Sequence, residues 1–190
     1  MNLPNRLTVA RMVSAPFFLA SALMEFPHKY LVSAIIFVAA AFTDMADGRL
    51  ARKNDQVTVF GQLLDPVADK MLTTAALLAF LKLGLCSVWI VMIILAREFV
   101  ITSVRLVASA QGVVMAANVW GKLKTACQMI FTALILVLGE LEEAFSVFER
   151  LGPLTFPGLS NILLWITAAL ALVSGTTYLL AGRKSVDFSK

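Results

Sequence analysis

The sequence predicts an all-α integral membrane protein in which six transmembrane helices form a single domain over residues 1–190. Hydrophobic residues make up 59% of the chain and charged residues 15%, with a mean hydropathy of +0.85. Soluble domains are only about 45–50% apolar. The apolar stretches approach the roughly 20 residues that a helix needs to cross a bilayer, and they lack the alternation of transmembrane strands.

Turn residues divide the chain into six apolar segments, and each segment is predicted to be one helix. The first apolar segment begins near Arg6 and Arg11, as a signal peptide would. No A-x-A cleavage site follows it, so we interpret it as an uncleaved helix. Pro27 separates the first two helices, Gly84 the third and fourth, and Gly112 the fourth and fifth. A turn rich in Gly and Pro precedes the sixth. The predicted helices span residues 7–24, 30–50, 57–81, 87–107, 119–139 and 156–181.

Basic residues are unevenly distributed between the two ends of these helices. Of the 16 Lys and Arg residues, eleven fall at one end and three at the other, while Lys70 and Arg97 lie within helices. Because short cytoplasmic loops carry the excess of basic residues, we expect a multi-pass protein with both termini in the cytoplasm. The short chain without a transit peptide favours a bacterial inner membrane. The sequence contains no cluster of basic residues with interleaved aromatic residues, which is the pattern that would indicate nucleic-acid binding.

The loop before the sixth helix, at the opposite end, is acidic. Its glutamates alternate with apolar residues, which indicates a short helix within the loop, either solvated or lying on the membrane interface. These glutamates are Glu140, Glu142, Glu143 and Glu149.

Four aspartates lie at or near the cytoplasmic ends of the second and third helices. Carboxylates within apolar helices are costly and are functional candidates by default. Asp44 and Asp47 are three residues apart, and Asp65 and Asp69 are four apart, so each pair shares one face of its helix. A short polar connector makes the two helices antiparallel neighbours. The sequence therefore predicts that the four carboxylates face one another.

Four neighbouring carboxylates cannot all remain ionised without compensating positive charge. A set of oxygen donors without His or Cys suits Mg²⁺ or Mn²⁺, and Mg²⁺ is usually completed by water and substrate phosphates. Two ions sharing carboxylates would match the two-metal arrangement of phosphoryl-transfer enzymes. Beside such a site, Arg52 is expected to contact phosphate, and Gly48, Ala51 and Gly61 leave room for close approach. Because the aspartates lie at the predicted cytoplasmic ends of their helices, the predicted active site faces the cytoplasm.

Written out, residues 44–69 read D-x2-D-G-x2-A-R-x8-G-x3-D-x3-D. This stretch resembles the defining motif of the CDP-alcohol phosphatidyltransferases, integral membrane enzymes, and matches every fixed position and spacing. Further segments resemble the branch of that family that uses glycerol 3-phosphate as acceptor. They are Leu3-Pro4-Asn5 with Thr8 and Arg11, residues 60–70, Ala96-Arg97-Glu98-Phe99 with Arg105, and residues 121–125.

The resemblance implies a role for each motif residue. Asp44 and Asp65 would bridge two metal ions, and Asp47 would complete the first site. Asp69 would complete the second site and act as general base. The residues implied for the CDP part of CDP-diacylglycerol are Asn5, Thr8, Gly48, Arg52 and Thr58. The resemblance also implies six-helix homodimers, embedded among membrane lipids, with a polar cavity open to the cytoplasm.

Glycerol 3-phosphate carries a dianionic phosphate, so a second basic cluster is expected for it. Candidates are Arg97 within the fourth helix, Arg105 near its end, and Lys122 and Lys124 at the start of the fifth. Placement by membrane topology alone explains the two lysines equally well. Glu98 projects about 100° away from Arg97 on a helix, so we do not expect this pair to neutralise itself.

Two alternatives to this function remain open at the level of sequence. The first is the same chemistry with another acceptor, such as phosphatidylglycerol in a cardiolipin synthase. The second is a divalent-cation transporter, since transporters also place acids within membrane helices. The position of the aspartates argues against a transporter, because they cluster at one membrane face rather than in mid-bilayer on broken helices.

Overall fold

The computed structural model describes residues 3–53, 59–113, 118–150 and 155–182, and within them the side chains outside 3–7, 44–53, 59–66, 69, 149–150 and 181. All secondary structure in these ranges is helical. The helices are α1 (Leu3–Leu23), α2 (Lys29–Lys53), α3 (Val59–Lys82), α4 (Val88–Ala110), α5 (Val119–Phe145), the one-turn α6 (Val147–Arg150) and α7 (Phe156–Gly182).

The six long helices confirm the six helical segments predicted from the sequence. Two of them, within Val119–Phe145 and Phe156–Leu180, are long and apolar enough by themselves to cross a membrane. Shorter apolar stretches occupy Thr8–Leu23 in α1 and Lys29–Thr43 in α2. The described ranges are therefore all-helical, with two helices that could cross a membrane by length and composition, and the six-span topology stays a prediction.

The acidic segment before α7 differs from the prediction. Glu140, Glu142 and Glu143 belong to the last turns of α5, and only Val147–Arg150 forms a separate helix. Glutamate favours helix, so nothing ends α5 before Ser146, which adopts a left-handed φ of 48°. The carboxylate of Glu142 then accepts the backbone N–H of Phe148 at 2.7 Å and fixes the turn between α5 and α6.

The long helices pack as two groups of three. In the first group α1 lies against α2 and α3, and in the second α7 lies against α4 and α5. The groups meet where α2 contacts α5 and where α3 contacts α4. Each group therefore has a central helix, α1 or α7, and two helices that face the other group.

Small polar and aromatic side chains join α1 to α2. The Oγ atoms of Ser21 and Ser33, both buried, lie 2.9 Å apart and share a hydrogen bond. One helix turn away, the fully buried rings of Phe18 and Phe37 pack with their centroids 5.8 Å apart. Small hydroxyl residues let two helices approach closely while satisfying each other's polar atoms, as in membrane helix pairs.

A glycine allows α2 and α5 to meet. A Cβ atom on Gly139 would lie 2.7 Å from Cδ1 of Tyr30, closer than any side chain tolerates. The Tyr30 ring also packs edge-on against Phe156 of α7, with 6.1 Å between centroids. This contact therefore ties the start of α2 to the end of α5 and the start of α7.

Glycines also end two helices, as the turn positions predicted. Gly84 has a φ of 75° and Gly112 a φ of 72°, a left-handed conformation that suits glycine. After α3, the N–H of Leu85 donates to the carbonyl of Phe80 at 2.8 Å, and after α4 the N–H of Val113 donates to Ala108 at 2.9 Å. These bonds satisfy carbonyls that the helix ends leave without partners.

An ion pair outside the predicted membrane-spanning helices fixes the start of α2. Nδ1 of His28 donates to Oε1 of Glu140 at 2.5 Å, and Oε2 of Glu140 accepts the backbone N–H of Leu31 at 3.0 Å. The hydrogen bond first, and then the charge of Glu140, raise the pKa of the exposed His28 above its usual 6.5. Glu140 thereby fastens α2 to α5.

This pair should make stability depend on pH. Because the pKa of His28 is higher in the folded protein, its contribution is fully present below about pH 6.5 and is lost as the pH rises through the raised value. We expect the Tm deficit of His28→Gln in detergent to be largest near about pH 6 and to shrink towards about pH 9.

Two companion variants make this measurement specific. Glu140→Gln should remove the same pH dependence, whereas Glu25→Gln, an exposed carboxylate in the same loop, should keep the wild-type dependence. An equal Tm deficit of His28→Gln at every pH would contradict the role of the ion pair.

Candidate active site

The aspartate motif lies on two helices that touch. Asp44 and Asp47 occupy the second half of α2, and Asp65 and Asp69 the first half of α3. The two helices contact each other, and a connector of residues 54–58 joins the ends that carry the motif. The side chains of all four aspartates lie outside the described part, so their facing arrangement stays a prediction.

The donor set is suited to a hard divalent cation. The motif offers four carboxylates on neighbouring helices, without a His or Cys among them. Among the side chains that the structure describes, no group of three or more His, Cys, Asp or Glu residues could hold a metal ion. The chemistry of the motif therefore fits Mg²⁺ or Mn²⁺.

The residues predicted to contact CDP are described only in part. Thr8 is buried in the first half of α1. Asn5 lies in α1 and Gly48 and Arg52 in α2, but their side chains are outside the described set. Thr58 lies outside the described residues. These assignments stay predictions.

Side chains of α4 and α5 meet in a largely buried cationic cluster. Oε1 of Glu98 accepts hydrogen bonds from Nη1 of Arg97 at 2.8 Å and from Nζ of Lys124 at 2.6 Å. The side chains of Lys124, Arg97 and Glu98 are 3%, 10% and 22% exposed. Two residues predicted to bind the acceptor phosphate are thus brought together, and one carboxylate connects them.

The ion pair between Arg97 and Glu98 corrects the expectation that adjacent residues would point apart. Their Cβ atoms do leave the helix in different directions, as the 100° step requires. Both side chains are long, however, and both turn towards Lys124 on α5, where the charges meet. Helix geometry fixes the first bond of a side chain and does not fix its charged end.

Arg97 is also held by α7. Its Nε donates to Oγ of Ser174 at 3.0 Å. A Cβ atom on Gly175 would lie 3.3 Å from Cγ of Arg97, and one on Gly121 would lie 3.3 Å from Nη2. The two glycines give the Arg97 side chain room between α5 and α7, Gly175 beside its Cγ and Gly121 beside its guanidinium group.

A further lysine connects the cluster to the aspartate motif. Lys70 follows Asp69 in α3, and its Nζ donates to Oγ1 of Thr102 on α4. Oγ1 of Thr102 in turn donates to the backbone carbonyl of Glu98 at 2.8 Å. Lys70 is thus linked through Thr102 to the cluster of Arg97, Glu98 and Lys124, in which two cations share one carboxylate.

The other two predicted acceptor contacts lie apart from this cluster. Arg105 is exposed two turns further along α4, where its Nε donates to the hydroxyl of Tyr178 at 2.8 Å. Its guanidinium also stacks over the Tyr178 ring, 5.2 Å from the centroid. Lys122 is exposed at the start of α5.

Three residues of the site, Glu98, Ser174 and Tyr178, were not predicted from the sequence to have a role. A signal for Glu98 was present, since an acid within an apolar helix is a functional candidate in its own right. Ser174 and Tyr178 carried none, because hydroxyl residues are common in membrane helices. Fold and site together define a helical membrane protein in which a buried cationic cluster lies next to an aspartate-bearing helix pair.

Comparison with known proteins identifies the family. Residues 1–173 match the family model described as CDP-alcohol phosphatidyltransferase. The chain belongs to this family, whose enzymes transfer a phosphatidyl group from a CDP-linked alcohol. The family generally depends on a divalent metal ion. The protein is therefore a membrane transferase of phospholipid biosynthesis.

Three relatives that are similar over nearly the whole chain carry the name CDP-diacylglycerol–glycerol-3-phosphate 3-phosphatidyltransferase. The protein of Bacillus subtilis is 38% identical over 189 residues, covering 93% of each chain. That of Rickettsia bellii is 35% identical over 183 residues, covering 96% of each. That of Haemophilus influenzae is 33% identical over 190 residues, covering 97% of this chain and 95% of its own.

Proposed function

We propose that this chain transfers the phosphatidyl group of CDP-diacylglycerol to glycerol 3-phosphate, producing phosphatidylglycerophosphate and CMP. The names of the relatives support this acceptor. The observation that carries the proposal is the cluster around Lys124 and Arg97, in which two cations share the single carboxylate of Glu98. Two cations that share one carboxylate in a largely buried place retain excess positive charge, and a phosphate monoester is an anion that both can bind through hydrogen bonds.

In the proposed reaction, the free hydroxyl of glycerol 3-phosphate attacks the phosphorus that carries the diacylglycerol. A new P–O bond forms as the bond to the CMP phosphate breaks. An alcohol is a poor nucleophile at neutral pH, so Asp69 takes the hydroxyl proton during attack. Two Mg²⁺ or Mn²⁺ ions, held by Asp44, Asp47, Asp65 and Asp69, would supply stabilisation of negative charge on the reacting phosphates.

The donor substrate is held at the cytoplasmic ends of α1 and α2. The acyl chains remain among the membrane lipids, and only the headgroup enters the protein. In this proposal Arg52 contacts the pyrophosphate and Gly48 lets it approach the helix backbone. Asn5 and Thr8 close over the nucleotide, and Thr58 adds a hydroxyl contact.

The acceptor phosphate binds to Arg97 and Lys124, which the two helices α4 and α5 hold side by side. Arg105, oriented by Tyr178, and the exposed Lys122 lie nearer the predicted cytoplasmic surface. They attract the dianion and guide it inward, because exposed cations act on anions over a Debye length of about 10 Å.

The proposed setting is a bacterial inner membrane that all six long helices span, with both termini and the active site facing the cytoplasm. The excess of basic residues at that end supports this orientation. Bacterial relatives support the location. A homodimer is proposed from the family resemblance.

An acceptor panel tests the function. With Mg²⁺ and CDP-diacylglycerol, membranes containing the protein should release CMP at least about 100-fold faster with glycerol 3-phosphate than with phosphatidylglycerol, because a site built for a dianion rejects acceptors without one. Control membranes from the same host without the protein set the background.

Two other results would contradict the proposed function. Equal CMP release with phosphatidylglycerol would replace the acceptor. Metal flux into sealed vesicles without CMP release would replace the enzyme by a divalent-cation transporter.

A further inference from the structure

We infer that Glu98 is a positioning residue, which holds Arg97 and Lys124 together as one receptor for the acceptor phosphate. The inference rests on the proposed function and deepens it. Glu98 itself is an anion and does not bind phosphate. Its role is to fix the separation and direction of the two cations that do.

The hydrogen-bond geometry leads to this role. A single oxygen, Oε1 of Glu98, accepts both the bond from Arg97 at 2.8 Å and the bond from Lys124 at 2.6 Å. Two donors that share one acceptor atom have little freedom to move relative to each other. Arg97 belongs to α4 and Lys124 to α5, so the carboxylate also sets the register between these helices at the site.

Donor capacity remains for a ligand. Lys124 has three N–H donors, and Glu98 is its one acceptor among the described residues. Arg97 uses Nε for Ser174 and Nη1 for Glu98. No described acceptor bonds Nη2, which packs close over Gly121, 3.3 Å from where a Cβ atom would lie. The two cations therefore have unused N–H groups next to each other.

The backbone of Glu98 is fixed as well. Thr102, which receives the hydrogen bond from Lys70, donates to the Glu98 carbonyl at 2.8 Å. The carboxylate is thus attached to α3 through its own main chain and to α5 through Lys124. Precise placement of binding groups by surrounding hydrogen bonds is how proteins hold a site ready for its ligand.

A positioning role and a general structural role can be distinguished by the substrate whose KM changes. Loss of a structural counter-ion would reduce the amount of folded enzyme and leave both KM values unchanged. Loss of the positioning group leaves two cations that repel each other and separate, so the acceptor alone should bind more weakly.

Steady-state kinetics in detergent or nanodiscs separate the two roles. We expect Glu98→Gln to raise the KM for glycerol 3-phosphate about tenfold or more while the KM for CDP-diacylglycerol changes less than about twofold. Glu98→Asp keeps the charge but withdraws the carboxylate by one methylene, so it should still raise the acceptor KM by about threefold or more. Glu143→Gln, the same change at an exposed glutamate of α5, should leave both KM values unchanged.

The outcomes distinguish the inference from the proposed function. If wild-type enzyme releases no CMP with glycerol 3-phosphate, the proposed function fails. If the wild type does so and Glu98→Gln leaves the acceptor KM unchanged, or raises both KM values equally, the positioning role fails alone. Should Glu98→Gln not accumulate, Glu98→Asp decides, and a wild-type acceptor KM in that variant overturns the inference.

Discussion

Replacing Asp69 by Asn is expected to lower kcat for phosphatidyl transfer by about 10²- to 10⁴-fold, the usual contribution of a general base. Asparagine has nearly the same shape but cannot take up the proton of the attacking hydroxyl. The CDP part of the donor is assigned to other residues, so binding of CDP-diacylglycerol should persist. CMP release and equilibrium binding of CDP-diacylglycerol, measured on the same purified variant, check both statements.

The same carboxylate-to-amide change at a position away from the site provides the control for Asp69→Asn. Glu25→Gln removes a negative charge from an exposed loop at the other end of the helices and should leave turnover unchanged. Near-normal turnover of Asp69→Asn would remove Asp69 from the mechanism.

The second large effect is expected from Arg97→Ala. Losing a charged hydrogen-bonding partner of the acceptor phosphate costs about 1.5–3 kcal/mol, which corresponds to a rise of about 10- to 100-fold in the KM for glycerol 3-phosphate. The KM for CDP-diacylglycerol should change far less. Glu98 remains paired with Lys124, so the variant leaves no isolated buried charge and should still fold.

Kinetics with each substrate varied in turn check the assignment of Arg97. Lys82→Ala removes an exposed cation from the last turn of α3 and should change neither KM. A larger rise in the KM for the lipid than for glycerol 3-phosphate would reassign Arg97 to the donor site.

The helical segments were predictable because each depends on a local pattern. A run of nearly twenty apolar residues can satisfy its backbone in a membrane only as a helix, and glycine at positions such as Gly84 and Gly112 marks where it ends. The aspartate motif was equally visible in the sequence, since all its members lie within 26 positions. Its metal-binding geometry stays a prediction.

The cationic cluster could be predicted only as a set of candidates. Residues 98, 124 and 174 are far apart in sequence, and their contacts depend on how α4, α5 and α7 pack. Nothing local distinguishes Lys124, which is buried in the cluster, from Lys122, which is exposed one short step away on the same helix. Long-range packing, rather than residue type, selects between them.

In the proposed function, the division of the long helices into two groups of three separates the chemistry into two halves. The first group, with α2 and α3, carries the aspartate motif, and the second, with α4 and α5, carries Arg97 and Lys124. In the proposed function, we therefore expect the distance between the acceptor hydroxyl and the reacting phosphorus to depend on the seam between the groups, where Lys70 reaches Thr102. On that proposal, the affinity for each substrate belongs to one half of the molecule, and the reaction rate depends on how the two halves are aligned.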